Sequence, residues 1–183
     1  TDNVPGGITD NDKVLASHEQ CLNDKRSQAA NFRIIEEESN MIEAHRIIQP
    51  TGKRYVVVNP PYPPLTTPEL DAIYDLPYTR LPHPRYNGKR IPAYEMIHHS
   101  VTIHRGCYGG CSFCTISAHQ GKQIVSRSRE SILRELRQIT QMEDFKGYVS
   151  DLGGPSANMY GTGGRDKNKC LHCKRPTCLT PKV

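Results

Sequence analysis

Tryptophan is absent from the 183 residues, phenylalanine occurs three times, and the hydrophobic fraction is only 36%. An average globular domain carries about 45–50% apolar residues, so a large, dense core is excluded and a loop-rich chain is expected. No run of about 18 apolar residues exists, which removes any transmembrane helix. The opening TDNVPGGITD has neither a Met nor a charged-then-apolar leader, so it is not a signal peptide. It reads as a cut inside a longer chain, and the closing CLTPKV reads the same way. Internal repeats are missing too.

Glycine and proline, 14 of each, are plentiful, and so is cysteine, with seven. An odd cysteine count without a leader argues against a disulfide framework. It favours metal or catalytic use in a reducing, cytoplasmic compartment. The formal charge of +5 is mildly basic and admits a weak contact with phosphate or nucleic acid, as many ordinary cytosolic proteins do.

Along the chain, Val14, Leu15, His18, Cys21 and Leu22 recur at helical spacing. Ala29, Ala30, Phe32 and Ile35 continue a face, which predicts helix from Asn11 to Ser39 capped by Asp10 or Asn11. The acidic run EEES reads as a solvated face, and Cys21 as a small core residue. Residues 44 to 59 predict a hairpin turning at Pro50-Thr51-Gly52, and residues 1–59 form the first region. Prolines then recur through residues 60–97, an irregular connector with one short helix capped by Thr67, Pro68 at its first position, and Leu70 and Ile73 inward. From residue 98 the pattern changes. A strand at Ser100–Ile103, a helix capped by Ser128 with Ile132, Leu133, Leu136, Ile139 and Thr140 on one face, and a strand at Lys146–Ser150 predict a parallel α/β arrangement over 98–160. Residues 161–183 form a Cys-rich tail expected to be disordered.

The densest chemistry is HRGCYGGCSFC, where Cys107, Cys111 and Cys114 fall at C-x3-C-x2-C in a glycine-rich loop after a strand and before a helix. A structural zinc or an all-cysteine cluster takes four protein ligands. Three thiolates from one loop leave a metal position open, as catalysis at a metal requires. Gly106, Gly109 and Gly110 let the backbone curl around a cluster.

RGCYGGCSFC resembles the cluster loop of radical S-adenosylmethionine (SAM) enzymes. VVVNPP, DAIYDLPYTRLPHP, SVTIHRGCYGGCSFCTISAHQGKQIVSRSRESI and SDLGGPSANMYG together resemble the YgiQ-like family of uncharacterised radical SAM proteins, over about residues 30 to 178. The resemblance implies an incomplete radical SAM (β/α) barrel segment preceded by a helical region and a hairpin. It implies a 4Fe-4S cluster on Cys107, Cys111 and Cys114, with SAM chelated at the fourth iron. Phe113 would lie against the adenine, and the backbone of Gly153 and Gly154 would meet the SAM amino group, although Pro155 stands where an acidic residue often follows. The implied reaction is reductive cleavage of SAM to a 5′-deoxyadenosyl radical, with an electron donor of flavodoxin or ferredoxin type and an unknown substrate. The segment alone is expected to be inactive.

The alternative is a zinc-binding structural or nucleic-acid-binding module. It would use the same cysteines with His104 or His119, or pair Cys111/Cys114 with Cys170/Cys173. The 55 residues between those pairs exceed the roughly 15–20 of a zinc ribbon. CLHCKRPTC, with Cys170, His172, Cys173 and Cys178, is a candidate for a second metal. His83, His98 and His99 read as hydrogen-bonded structural histidines. Arg127, Arg129, Arg134 and Arg137 read as a solvated helix face.

Overall fold

The computed structural model of the protein describes residues 1–179. The first elements in chain order are strand β1 (Lys13–Val14), helices α1 (His18–Asn23) and α2 (Lys25–Asn40), and strands β2 (Ile47–Thr51) and β3 (Arg54–Val58). Next come α3 (Thr67–Tyr74), a 3-10 turn at Pro84–Tyr86, α4 (Pro92–Ile97), β4 (Ser100–Thr102), β5 (His104–Arg105) and α5 (Ile116–Gln120). The last are β6 (Val125–Ser126), α6 (Arg129–Thr140), β7 (Asp151–Gly153) and α7 (Lys167–Leu171). The fold is mixed α/β, and no closed barrel is present among the described residues. The chain divides into two compact units. One holds Thr1–Pro64, Tyr108–Phe113 and the chain from Gly164 onward; the other holds Leu65–Cys107 and Cys114–Gly163.

In the first unit the hairpin lies where the turn chemistry places it, with Ile47↔Val58 through Thr51↔Arg54 as antiparallel partners. The long N-terminal helix does not. Lys13 and Val14 pair in parallel with Ile47 and Ile48 instead. Helix begins only after Ser17, whose side chain accepts from the Gln20 N–H while the Gln20 side chain accepts from the Ser17 N–H. That reciprocal cap satisfies two end groups at once and outcompetes Asp10 or Asn11. Asp24 then accepts from the Arg26 and Ser27 N–H groups and starts a separate helix.

The buried side of α2 is polar, with Asn31, Glu38 and Asn40 inside while Phe32 and Ile35 are exposed. Hydrogen bonding overrides hydrophobic spacing here. Asn31 exchanges two bonds with the Ala16 backbone, both 2.9 Å. Glu38, part of the acidic run read as solvated, accepts from the His45 N–H at 2.7 Å. Cys21 is only half-buried, 3.0 Å from the Asn31 amide. Asp12 accepts from Arg46 through two nitrogens, at 2.8 and 2.7 Å. That guanidinium, and then the Thr9 N–H, hold its carboxyl well below the usual carboxylate range.

The tail carries α7 and is tied to the end of α2. The Leu171 carbonyl accepts from the Ile42 and Glu43 N–H groups, each at 3.0 Å. Lys174 pairs with Glu37 at 3.1 Å. The Tyr108 carbonyl accepts from the Cys178 N–H at 3.2 Å and from the Thr177 hydroxyl at 3.0 Å.

In the second unit β4 and β7 pair in parallel and β5 pairs with β6 antiparallel. Helix α6 starts at Ser128 as its capping chemistry predicts, the hydroxyl accepting from the Ser131 N–H. It supplies Ile139 to a core with Val101 and Ile103, flanked by Ile132, Leu136, Met142 and Phe145. The second parallel strand is displaced from the expected 146–150 to Asp151–Gly153, in register with Ser100–Thr102. Gly147, at φ +90°, breaks the extended conformation that the flanking residues favour. The α3 cap is Thr66 rather than Thr67, reciprocated by Glu69, and Ile73 points outward while Leu70 is buried.

Arg127 is not on a solvated face. It is 1% exposed, bonds the Thr102 carbonyl and the Ser131 hydroxyl at 2.9 Å each, and lies over the Tyr74 ring. Its charge meets Glu135, which also takes Arg80. Arg134 pairs with Asp75.

Candidate metal centre

The C-x3-C-x2-C loop leaves β5 and runs to α5. None of the seven cysteines forms a disulfide, and Cys107, Cys111 and Cys114 are free thiols, respectively buried, exposed and half-buried. Cys107 and Cys114 belong to the second unit, and Cys111 and Phe113 to the first.

Cys107 is held at both ends of the residue. Its N–H donates to the Gly121 carbonyl at 3.0 Å, and its Sγ lies 3.2 Å from the Ser156 hydroxyl. The approach to it requires glycine. Gly106 has φ +87°, and a Cβ there would fall 2.0 Å from the Gln123 carbonyl oxygen.

Gly153 ends β7, and its carbonyl accepts from the Ile103 N–H at 2.9 Å. At Gly154 a Cβ would fall 1.9 Å from His104 Nε2. Close packing against an imidazole therefore demands glycine at 154, a requirement the sequence does not reveal. His104 is fully buried. Its Nε2 accepts from the Met159 N–H at 3.0 Å, so that nitrogen is not offered to a metal. Nδ1 then carries the proton, and among the described residues it has no hydrogen-bond partner. Phe113 is 89% exposed, so it is no core aromatic.

Three thiols on one glycine-bearing loop, one of them buried, are a donor set that suits an iron–sulfur cluster.

Among the described residues, one group of His, Cys, Asp or Glu brings its ligand atoms within 4.8 Å of one another: His98, His99 and Asp144. Sequence reasoning placed the two histidines in structural roles and missed the aspartate, because 45 residues separate His99 from Asp144. Desolvation works to raise the Asp144 carboxyl, but His99 and His98 outweigh it and hold it below its ordinary range.

The sequence model of the radical SAM N-terminal family matches residues 6–100. A UPF0313 protein of Porphyromonas gingivalis is 62% identical, over 98% of this chain and 29% of its own length. One from Bacteroides thetaiotaomicron is 66% identical, over 94% of this chain and 28% of its own. One from Methanocella arvoryzae is 50% identical, over 87% and 26%. The chain thus spans less than a third of the length of the curated relatives it matches. No solved structure matches it. No helix among the described residues is long and apolar enough to cross a membrane.

Proposed function

The chain belongs to the radical SAM N-terminal family, with UPF0313 proteins among its relatives, and from that premise we propose that the whole protein is a radical SAM enzyme whose 4Fe-4S cluster is held by Cys107, Cys111 and Cys114. The observation that carries this reading is the three free thiols at C-x3-C-x2-C, with Cys107 buried against Ser156. The family match ends at residue 100, before the loop, so the cysteines rest on their own chemistry and spacing.

When bound, the cluster and SAM supply the one-electron chemistry of the superfamily, reductive cleavage of SAM. The chain's own residues contribute position. Cys107, Cys111 and Cys114 would each hold one iron. Phe113, with its ring exposed, is available to lie against an adenine. The backbone at Gly153 and Gly154, reached directly from β4 through β7, would meet the SAM amino group, with Pro155 in place of an acidic neighbour. The β4–α6–β7 unit serves as the start of a barrel that the described residues do not close. The electron would come from a flavodoxin- or ferredoxin-type donor.

Anaerobic reconstitution with iron and sulfide tests this. The expected product is brown and carries about four irons per chain. Cys107→Ala, Cys111→Ala or Cys114→Ala should each abolish loading, whereas Cys21→Ala should not. A colourless protein that takes zinc through the same cysteines, or loading that survives loss of Cys111, would overturn the assignment.

A further inference from the structure

Just before β4, away from the cysteine loop that follows β5, His98 and His99 face one carboxylate. His98 Nε2 lies 3.1 Å from Asp144 Oδ2, and His99 Nε2 lies 3.4 Å from Asp144 Oδ1. The His98 ring is fixed by its other nitrogen. Nδ1 lies 2.9 Å from the Tyr94 carbonyl oxygen. A carbonyl only accepts, so Nδ1 carries the proton. In the neutral imidazole Nε2 is then a bare lone pair aimed at a carboxylate oxygen. Two lone pairs at that separation repel, so either a proton on His98 Nε2 or a metal ion lies between them.

A second proton on His98 alone, with neutral His99 donating its Nε2–H, would satisfy Asp144 as an ion pair, but it sets that charge against a ring whose centroid is only 3.8 Å away. A metal ion engages both rings with each neutral. Two imidazole nitrogens and a carboxylate are a ligand set for zinc and related divalent ions, with Zn–N and Zn–O near 2.0–2.1 Å. One ligand atom from each of the three residues lies within 4.8 Å of the others, and each ring nitrogen is 3.1 or 3.4 Å from its own carboxylate oxygen, near the roughly 3.3 Å edge of a tetrahedral shell at that radius. The His98 Nδ1–H donated to a backbone carbonyl is the outer contact that orients metal-bound histidines.

The surroundings support the same reading. Tyr94 stacks on His98, and Phe145 meets His99 edge-on. The side chains of His98 and His99 are 16% and 5% exposed, while that of Asp144 is 50% exposed. The ring nitrogens are thus held in a largely buried wall, and solvent reaches the group from the Asp144 side.

We infer that His98, His99 and Asp144 bind a divalent transition-metal ion, zinc by its ligand chemistry, at a site separate from the cysteines. The ion would clamp the end of α4 and the start of β4 to the turn after α6. This inference does not depend on the radical SAM reading.

The test titrates Zn²⁺ into the intact protein carrying Cys107→Ser, Cys111→Ser and Cys114→Ser, with X-ray absorption at the zinc edge reporting the ligands. One zinc per chain with a nitrogen and oxygen shell and imidazole scattering is expected in addition to any sulfur-bound zinc. Asp144→Asn, at a half-exposed position, should weaken that binding by roughly tenfold or more, as should His99→Gln. Chelation should lower the thermal midpoint of the parent protein and leave that of Asp144→Asn unchanged. Zinc held by sulfur alone, or a nitrogen-bound zinc with equal affinity in Asp144→Asn, overturns the proposal. So does a His98 ring that NMR shows doubly protonated at neutral pH with zinc present.

Discussion

Glu135 holds two arginines at once, Arg80 and Arg127, with its own side chain 12% exposed. Arg80 in turn donates to the His98 and Ser100 carbonyls at 3.0 and 2.6 Å, from a backbone at φ +56°. A non-glycine residue tolerates that left-handed conformation only where surrounding bonds over-determine it. Removing one partner of a buried pair costs about 3–5 kcal/mol, because an uncompensated charge stays inside. Glu135→Ala should therefore lower the unfolding free energy by that order, measured by urea denaturation. Glu130→Ala, at an exposed position of the same helix, should change it by no more than about 0.5 kcal/mol. Equal effects at the two positions would show that the Arg127 charge is not buried in solution. Nothing local marks Glu135 as different from Glu130. Its partners Arg127 and Arg80 stand 8 and 55 residues away.

At the scale of elements, short-range chemistry was legible and pairing was not. The Ser128 cap of α6 and the hairpin at Gly52 follow from side chains adjacent in sequence, so spacing and turn residues reveal them. Strand β1 does not, because Val14 and Leu15 suit a helix face and a strand equally, and Ile47 and Ile48 decide between them. The cysteine loop lies between these cases. Its three thiols are visible from spacing, but the constraint on Gly106 is not. Gly106→Ala places a methyl against the Gln123 carbonyl in a left-handed backbone. It should cost more than about 1 kcal/mol and reduce iron loading severalfold on reconstitution. Gly163→Ala, in open space at an ordinary φ, should leave both unchanged. Normal iron content in Gly106→Ala would mean that the loop reaches its cluster-binding form by another path.

Across the molecule, the apolar fraction limits what can be buried. The described core is small, with Leu15, Met41 and Ile48 in the first unit and Leu70, Val101, Ile103, Ile139 and Met159 in the second. Leu81, Met96 and Ile97 in the second unit are each more than 60% exposed. Two of the three sheets among the described residues have only two strands. Such sheets keep open edges and are marginal by themselves. The chain should therefore associate with rising concentration in sedimentation velocity and unfold over a broad, low-temperature transition. A monomer at all concentrations with a sharp, high-temperature transition would show that these surfaces are not sticky.

The sequence by itself determined the chemistry that neighbours along the chain can carry: the thiol triplet, the helix caps, the hairpin turn and the loop-rich character set by a poor apolar content. Those features depend on spacing within a few residues, so they survive without knowledge of the fold. Only the tertiary structure decided that Arg127 and Glu38 are buried, that the second parallel strand begins at Asp151, that Gly154 is confined by His104, and that two adjacent histidines meet Asp144. Each of these depends on a partner remote in sequence or on packing against one. Burial and pairing are properties of such partners together, and no local periodicity encodes which distant residue will arrive.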